Sequence, residues 1–404
     1  MKTPGLFKLE GVVQHYAWGG TSFIPELLSI KNTGNQPFAE YWMGAHDKAP
    51  SQALLNGNKV PLNELIAQSP EQFLGTEVAR RFANRLPYLF KVLDVKDMLS
   101  IQVHPTKAEA EKGFARENEM GVPLSAPHRN YKDDNHKPEI MVALTDFWLL
   151  HGFKSEQELN KLFDNNIDLK PLKIYFQQGG YKGLYQHIME LPQLEVNRLL
   201  APLIPKVIRG YQAGALQKDS PDFWAARAAI HDSMNNGNYD RGIFSIYFFN
   251  LVNVPPGKGI FQAAGIPHAY LEGVNMELMA NSDNVLRGGL TPKHIDVPEL
   301  LKHTQFEPVT PEILKGAQVG DTEKVYKSPA PDFELSCIQV RADHPYQSPA
   351  AHATDILIVL EGNAEASFEG GRFALRKGEA FLAQAHVSYY LIGSATLYKA
   401  TVPI

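Results

Sequence analysis

The stretch Ile356-Leu357-Ile358-Val359-Leu360 ends at Glu361-Gly362, and a second apolar run at 375–382 is interrupted by Lys377-Gly378-Glu379. Short apolar runs that are closed by glycine turns are typical of the strands of small β-barrels and jelly rolls. The last segment of the chain, from about 320 to 404, is therefore predicted to consist of strands that form such a barrel.

Similar apolar runs occur in two earlier parts of the chain. Their apolar and aromatic content, and the polar turns around them, predict strands at 86–95, 99–103, 139–153 and 243–254. Two helices are predicted among them. One begins after Ser69 with Pro70 in its first position, and the other begins at Thr106, with Glu109 completing a capping box.

The segment from about 155 to 240 has a helical pattern. Ser155 and Glu158 form a further capping box, and Ser220-Pro221 predicts another helix start. Apolar residues at three-to-four spacing over 196–207 predict a helix that Pro202 and Pro205 break or kink. A connecting helix and loop are expected over 297–318.

The division of the chain follows from this pattern. At roughly 100–200 residues per domain, 404 residues predict two to four domains. The predicted fold class is mainly β with a helical insert. Residues 1–154 and 241–318 form one β domain, 155–240 form an α-helical insert, and 319–404 form a second β-barrel.

Composition excludes several classes of protein. The chain has 39 Lys and Arg against 44 Asp and Glu, a formal net charge of −5, which argues against a strongly basic nucleic-acid binder. Its one cysteine, Cys337, excludes an intrachain disulfide and a metal site with two thiolates. No secretory signal and no apolar run of about 20 residues is present, so a cytoplasmic protein without membrane or nucleic-acid partners is expected.

Polar residues that share a strand face give the first candidate site. In the 99–103 strand, Leu99, Ile101 and Val103 would form one face, while Ser100, Gln102 and His104 form the other. A polar face that is simply exposed to water is the commoner explanation of this pattern.

Two further stretches carry candidate ligands. Lys137, Glu139 and Met141 would share a face, and a carboxylate beside an apolar run is costly to bury unless it is paired or bound to a metal. His268 and Tyr270 would also share a face, directly after Gly265-Ile266-Pro267. A surface glutamate and a structural histidine are the alternatives.

A fourth stretch, residues 277–293, surrounds the turn-forming Asn281-Ser282-Asp283-Asn284 with charged residues. Glu277, Arg287 and Lys293 would either form ordinary surface ion pairs or hold a phosphate or an oxyanion. Taken together, Gln102, His104, Glu139 and His268 offer nitrogen and oxygen ligands that suit zinc or another divalent ion.

Several motifs in order show that the chain resembles the type I phosphomannose isomerase family, zinc enzymes of the cupin superfamily. The resemblance covers essentially the whole chain and rests on these landmarks: HYAWG at 15–19, AEYWMGAH at 39–46, SIQVHP at 100–105, HKPE at 136–139, PHAYLEG at 267–273 and ELMANSDNVLRGGLTPKHID at 277–296. It implies two cupin-type barrels, of which the C-terminal one lacks a metal.

The resemblance also implies residue roles. One Zn²⁺ per chain would be bound by Gln102, His104, Glu139 and His268. Arg287 would be catalytic. His136, Lys137 and Glu277 are the candidates for the base, and the sequence does not choose among them. Ser100, Lys293 and Tyr270 would line the substrate pocket.

The implied reaction interconverts mannose 6-phosphate and fructose 6-phosphate by proton transfer through a cis-enediol. The implied partner is a small sugar phosphate, and the expected state is a monomer, with a weak dimer as the alternative. Supply of GDP-mannose and use of mannose as a carbon source are both open. Two other functions compete with this one. His104, Glu139 and His268 would also suit a metal-dependent cupin oxygenase, and a non-catalytic sugar-phosphate-binding cupin could share the scaffold.

Overall fold

The computed structural model describes residues 4–232, 237–349 and 352–404 of the chain. Most of the regular structure in this part is β. In chain order the strands are β1 (Leu6–Glu10), β2 (Val12–Gln14), β3 (Glu40–Gly44), β4 (Gln52–Leu55), β5 (Asn58–Pro61), β6 (Tyr88–Val95), β7 (Gln102–Val103), β8 (Glu139–Ala143), β9 (Phe147–Phe153), β10 (Phe249–Val254), β11 (Gly259–Gln262), β12 (His268–Ala280), β13 (Leu286–Arg287), β14 (Ala317–Val319), β15 (Glu323–Tyr326), β16 (Glu334–Val340), β17 (Tyr346–Gln347), β18 (Asp355–Phe368), β19 (Gly371–Arg376), β20 (Ala380–Ala383) and β21 (Tyr389–Thr401).

The helices fall mainly between β9 and β10. They are α1 (Phe23–Leu27), α2 (Leu62–Gln68), α3 (Pro70–Leu74), α4 (Thr76–Arg81), α5 (Lys107–Glu119), α6 (Glu156–Asn165), α7 (Lys173–Glu190), α8 (Gln193–Leu200), α9 (Ile204–Gln212), α10 (Pro221–Asp232), α11 (Gly242–Phe248) and α12 (Val297–His303), with a 3₁₀ turn at Lys170–Leu172. Within the described ranges, no helix combines the length and the apolar content that crossing a membrane requires.

The strands form two antiparallel sheets. The 11-stranded sheet has the central order β14-β15-β16-β21-β18-β20-β1-β4-β5, with β17 on β21 and β19 on β18. The first strand of the chain therefore pairs with β20, and β4 and β5 extend the sheet of the C-terminal strands. The 10-stranded sheet holds the remaining strands. Its central strand is β12, which pairs with β6, β7, β8 and β9.

Buried apolar clusters hold these layers together. One lies between the two sheets and includes Phe90, Ile140 and Ile356, and another packs the helices between β9 and β10 against the 10-stranded sheet. Each sheet also has an apolar cluster of its own. The cluster of the 10-stranded sheet contains Met141 and Tyr270, which are neighbours of the candidate ligands.

The predicted elements are confirmed in most of the chain. The 86–95 run forms β6, the 139–153 run forms β8 and β9, and the residues after 320 form strands. The Ser155 capping box is complete, whereas Thr106 accepts only the Glu109 amide, since the Glu109 carboxylate binds Lys112 and Lys302 instead. The 196–207 segment is two helices, α8 and α9, separated near Pro202.

Two strand predictions are wrong in part. The 243–254 run begins as helix α11, all seven residues of which are buried, and becomes strand β10 only at Phe249. A helix that is buried on every side has no polar face, so its sequence cannot be distinguished from that of a buried strand. In 99–103 only Gln102–Val103 is regular strand, and Leu99 lines a cavity together with Gln102 instead of sharing the face of Ile101 and Val103.

The 11-stranded sheet contains a buried ionic group. The Lys399 Nζ lies 2.6 Å from Glu323 Oε1 and donates to the Tyr346 hydroxyl at 3.0 Å, and Asp355 accepts from Tyr389. Burial opposes the charge of Lys399, but Asp355 and Glu323 raise its pKa. Burial raises the pKa of Asp355, and Lys399 opposes that rise.

We predict that Lys399→Met destabilises the protein by about 3–5 kcal/mol, because it leaves two carboxylates buried without their cation. The measurement is chemical unfolding followed by circular dichroism. Lys59→Met is the matched control, since Lys59 and its partner Glu10 are both exposed and water screens their attraction. An equal loss in the two variants would contradict the assigned role of the buried lysine.

Candidate metal centre

Three predicted ligands converge inside the 10-stranded sheet. Glu139 lies between the two histidines, with its Oε1 3.4 Å from His104 Nε2 and its Oε2 3.4 Å from His268 Nε2. One ligand atom from each residue can be chosen so that all lie within 4.8 Å of one another. All three side chains are buried, so the group is shielded from bulk water.

The tautomers of both imidazoles are set by the backbone. His104 Nδ1 lies 2.8 Å from the Asn284 carbonyl oxygen, and His268 Nδ1 lies 2.9 Å from the Ile266 carbonyl oxygen. A carbonyl can only accept, so each Nδ1 carries the proton and each Nε2 keeps its lone pair. Both Nε2 atoms are buried and have no hydrogen-bond partner among the described residues, which is costly unless a cation binds them.

The charges agree with this assignment. Burial lowers the pKa of His104 to about 4, with help from Lys137, so its imidazole is neutral at pH 7. Burial alone would raise the pKa of Glu139, but Lys137 and His104 hold it well below its usual range. Lys137 donates to Glu139 Oε1 at 2.6 Å. The site thus offers two imidazoles and one carboxylate, a donor set that fits a divalent cation.

Gln102 is placed to supply the fourth ligand. It pairs with His268 across β7 and β12, and it lines the same cavity as Glu139 and His268. Residues paired directly across an antiparallel ladder point to the same face. Gln102 therefore faces the cavity beside Glu139 and His268, although the regular strand is only two residues long.

A second charged group borders the cavity, and of its residues only Glu277 was predicted from the sequence. Lys91 donates to Glu277 Oε2 at 3.0 Å and lies 3.4 Å from Glu40 Oε2. Burial raises the pKa of Glu277, and Lys91 opposes that rise. Burial opposes the charge of Lys91, but Glu277 and Glu40 raise its pKa. Tyr270 lines the cavity as well, and burial followed by Glu277 raises the pKa of its hydroxyl.

Lys91 and Glu40 were missed, although the sequence contains a signal for each. Lys91 interrupts the apolar run of β6, both faces of which are buried, so its ammonium needs an internal partner. Glu40 starts the fully buried strand β3. Glu277 faces Lys91 directly in the β12–β6 register.

Arg287 and Lys293 are not among the residues that line this cavity, and Lys293 lines a separate cavity with Asp240 and Arg241. Arg287 pairs with Gln102 across β13 and β7. Within the described chain its guanidinium has no ion-pair or hydrogen-bond partner, and burial lowers its pKa. Burial and Arg287 lower the pKa of Lys293. The loop after Arg287 is held by Asp240, which accepts from the amides of Leu290 and Thr291.

Two other predicted residues lie apart from the cavity. His136 Nε2 contacts Asp332 Oδ2 at 2.9 Å, and this carboxylate belongs to the turn before β16. Ser100 is half-buried two residues before Gln102 and is not among the described residues that line the cavity.

Comparison with known proteins identifies the family. A family model described as "Phosphomannose isomerase type I, catalytic domain" matches residues 6–156. The mannose-6-phosphate isomerase of Salmonella typhimurium is 38% identical over 382 residues, which cover 92% of this chain and 93% of the relative. The human mannose-6-phosphate isomerase is 33% identical, covering 91% and 90% of the two chains. The chain belongs to the type I phosphomannose isomerase family.

Solved structures of phosphomannose isomerases share the whole fold. The Salmonella typhimurium enzyme bound to substrate (f6p) and a zinc atom superimposes with a TM-score of 0.86 at 35% identity, covering 99% of this chain and 100% of that chain. A zinc-bound holo structure gives the same TM-score and identity. The family resemblance predicted from the motifs is confirmed.

We predict that Glu139→Gln lowers zinc binding at least 10-fold, because the neutral amide removes the only negative charge among the proposed ligands. Zinc content after loading and gel filtration is measured by atomic emission. Glu277→Gln is the matched control and should keep its zinc, since the Glu277 carboxylate contacts Lys91 and not the imidazoles. Full zinc content in Glu139→Gln would contradict the assignment of this carboxylate as a ligand.

Proposed function

We propose that the protein is a zinc-dependent isomerase that interconverts mannose 6-phosphate and fructose 6-phosphate. One observation carries the proposal: two buried imidazole Nε2 atoms, without hydrogen-bond partners in the described part of the chain, face a buried carboxylate in a member of the type I phosphomannose isomerase family. Gln102, His104, Glu139 and His268 would hold one Zn²⁺. When bound, the ion supplies a Lewis acid that polarises the substrate carbonyl and makes the neighbouring C–H more acidic.

The reaction moves a proton between C1 and C2 of an open-chain sugar through a cis-enediol. The base must lie in the cavity and accept the proton near neutral pH. Glu277 fits this need, because it lines the cavity and burial raises its pKa, which makes its carboxylate more basic. Its Oε2 is held by Lys91, so Oε1 would accept the proton.

Lys137 and His136 are weaker candidates for the base. Lys137 Nζ is engaged by its 2.6 Å hydrogen bond to Glu139. His136 is engaged by Asp332 and does not line the cavity. We propose that Lys137 stabilises the negative charge of the Glu139 carboxylate. We propose that His136 links the segment before β8 to the 11-stranded sheet.

We propose that two cations bind and stabilise the anionic parts of the reaction. Arg287 shares a face with Gln102 through the β13–β7 pairing and has no described partner of its own, so its guanidinium is available for the enediolate oxygen. Lys293, six residues further on and exposed, would attract the phosphate. Tyr270 would border the sugar, and Ser100 would support the cavity from behind Gln102.

The finer description of the fold is part of this proposal. We infer that the two sheets are cupin-type barrels, with the catalytic domain at 1–154 and 241–318, the helical insert at 155–240 and a metal-free barrel at 319–404. The strands β1, β4 and β5 belong to the sheet of the C-terminal strands. This supports an arrangement in which these N-terminal strands complete the second barrel. A monomeric, cytoplasmic enzyme remains the prediction.

We predict that the purified protein converts mannose 6-phosphate to a ketose only when it holds zinc. The assay measures ketose formation by the protein as purified, after chelator treatment and after zinc is restored. Activity should disappear and return with the metal. A zinc-filled protein that binds the sugar phosphate without turnover would favour a non-catalytic binding protein, and oxygen consumption with bound iron would favour an oxygenase.

We predict that Arg287→Ala lowers kcat about 10²–10³-fold while zinc content stays near that of the unmodified protein, because a donor to the transition-state oxyanion is lost without a change in the metal ligands. Lys293→Ala should mainly raise KM for the sugar phosphate. Loss of zinc from Arg287→Ala would show that this residue is structural.

A further inference from the structure

Asn284 lies in the turn-forming segment 281–284, but its contacts exceed those of a turn residue. It is buried, and its backbone carbonyl accepts the Nδ1 proton of His104 at 2.8 Å. Its side chain reaches the separate segment 132–135. There Oδ1 accepts from the amide of Lys132 at 2.7 Å and from that of Asp133 at 3.3 Å.

The side-chain nitrogen of Asn284, Nδ2, also contacts this segment. Nδ2 donates to the Asp133 carbonyl at 2.8 Å, to Asp133 Oδ1 at 3.2 Å and to the Asn135 carbonyl at 2.9 Å. Ser282 reinforces this junction, because its hydroxyl donates to Asp133 Oδ1 at 2.7 Å. The side chain therefore acts as a donor and an acceptor at once, which a carboxamide can do and a carboxylate cannot.

The segment held by Asn284 leads directly into a metal ligand. Residues 132–135 are followed by His136, Lys137 and Pro138, and then by Glu139. One residue thus supports two proposed ligands that are 35 positions apart in sequence. Its carbonyl orients the imidazole of His104, and its side chain fixes the approach to Glu139.

We propose that Asn284 is a positioning residue of the metal centre, which sets the distance between His104 and Glu139 and thereby the affinity for zinc. The proposal rests on the proposed function only in taking zinc as the bound ion. Groups that orient metal ligands typically contribute 10- to 100-fold to metal affinity. An aspartate at this position would place a carboxylate oxygen against the Asp133 carboxylate and two carbonyl oxygens, all of which are acceptors.

The test measures zinc affinity of the whole protein by competition with a chromogenic chelator, and the ligand geometry by the visible absorption of the Co²⁺-substituted protein. Asn284→Asp and Asn284→Ala should bind zinc 10- to 100-fold more weakly and should show an altered Co²⁺ spectrum. Asn281→Asp and Asn281→Ala are matched controls, because Asn281 lies in the same segment and its side chain has no hydrogen-bond partner among the described residues. The controls should match the unmodified protein in both measurements.

The outcomes separate positioning from general damage. Zinc affinity within a factor of about two, with an unchanged Co²⁺ spectrum, would overturn the proposal, and so would an equal loss in the Asn281 variants. If the Asn284 variants do not fold, Ser282→Ala decides, since it removes the hydroxyl that contacts Asp133 Oδ1, the Asn135 carbonyl and the Asn284 backbone amide: weaker zinc binding supports the proposal and unchanged binding overturns it. Because no sugar phosphate is present, a failure of the isomerase assay leaves this result intact.

Discussion

Two hydrogen bonds from imidazole Nδ1 atoms to backbone carbonyls are the constraint on which the site depends. They fix the tautomers of His104 and His268, and they leave two Nε2 lone pairs in a buried space beside Glu139. Each carbonyl belongs to a segment that the sheet must place correctly. The Ile266 carbonyl precedes His268 at the entry to β12, whereas the Asn284 carbonyl comes from a loop 180 positions after His104. The metal centre is therefore a property of the assembled sheet and not of a local motif.

The balance of charge explains why this cavity suits an anion together with a metal. Lys91 and Lys137 face Glu40, Glu139 and Glu277, a formal charge of −1 when all five are ionised. A divalent cation would change this to +1, and Arg287 and Lys293 add positive charge nearby. The 11-stranded sheet also buries an ionic group, but there a lysine takes the place of a metal: Lys399 faces Glu323 and Asp355. The two sheets thus compensate their buried carboxylates with different sets of cations.

The sequence allowed most of the site to be predicted, because its residues lie in motifs that keep their order along the chain. His104, Glu139 and His268 lie within reach of one ion, and Gln102 lines the same cavity as Glu139 and His268. The partners that complete the site were harder to predict, since Lys91, Glu40 and the Asn284 carbonyl act across strands whose register depends on tertiary structure. Simple alternation would also place Glu277 on the face of β12 opposite His268. The register irregularity between Tyr270 and Glu272 allows both side chains to border one cavity. The helix at 242–248 was missed for a related reason, because burial on all sides removes the periodicity that distinguishes helix from strand.

The spacing of the ligands links metal binding to folding. Gln102 and His104 lie on β7 and directly after it, Glu139 opens β8 and His268 opens β12, so the four come together only when β12 has paired with β7 and β8. An unfolded chain holds these residues far apart and binds the ion weakly, so a metal that binds the folded state stabilises it by mass action. Any change that displaces one ligand weakens the binding of the ion. Loss of the ion in turn lowers the stability of the folded protein. Metal affinity therefore reports on the geometry of the 10-stranded sheet more directly than catalytic rate does, because the rate depends in addition on residues proposed to contact only the substrate.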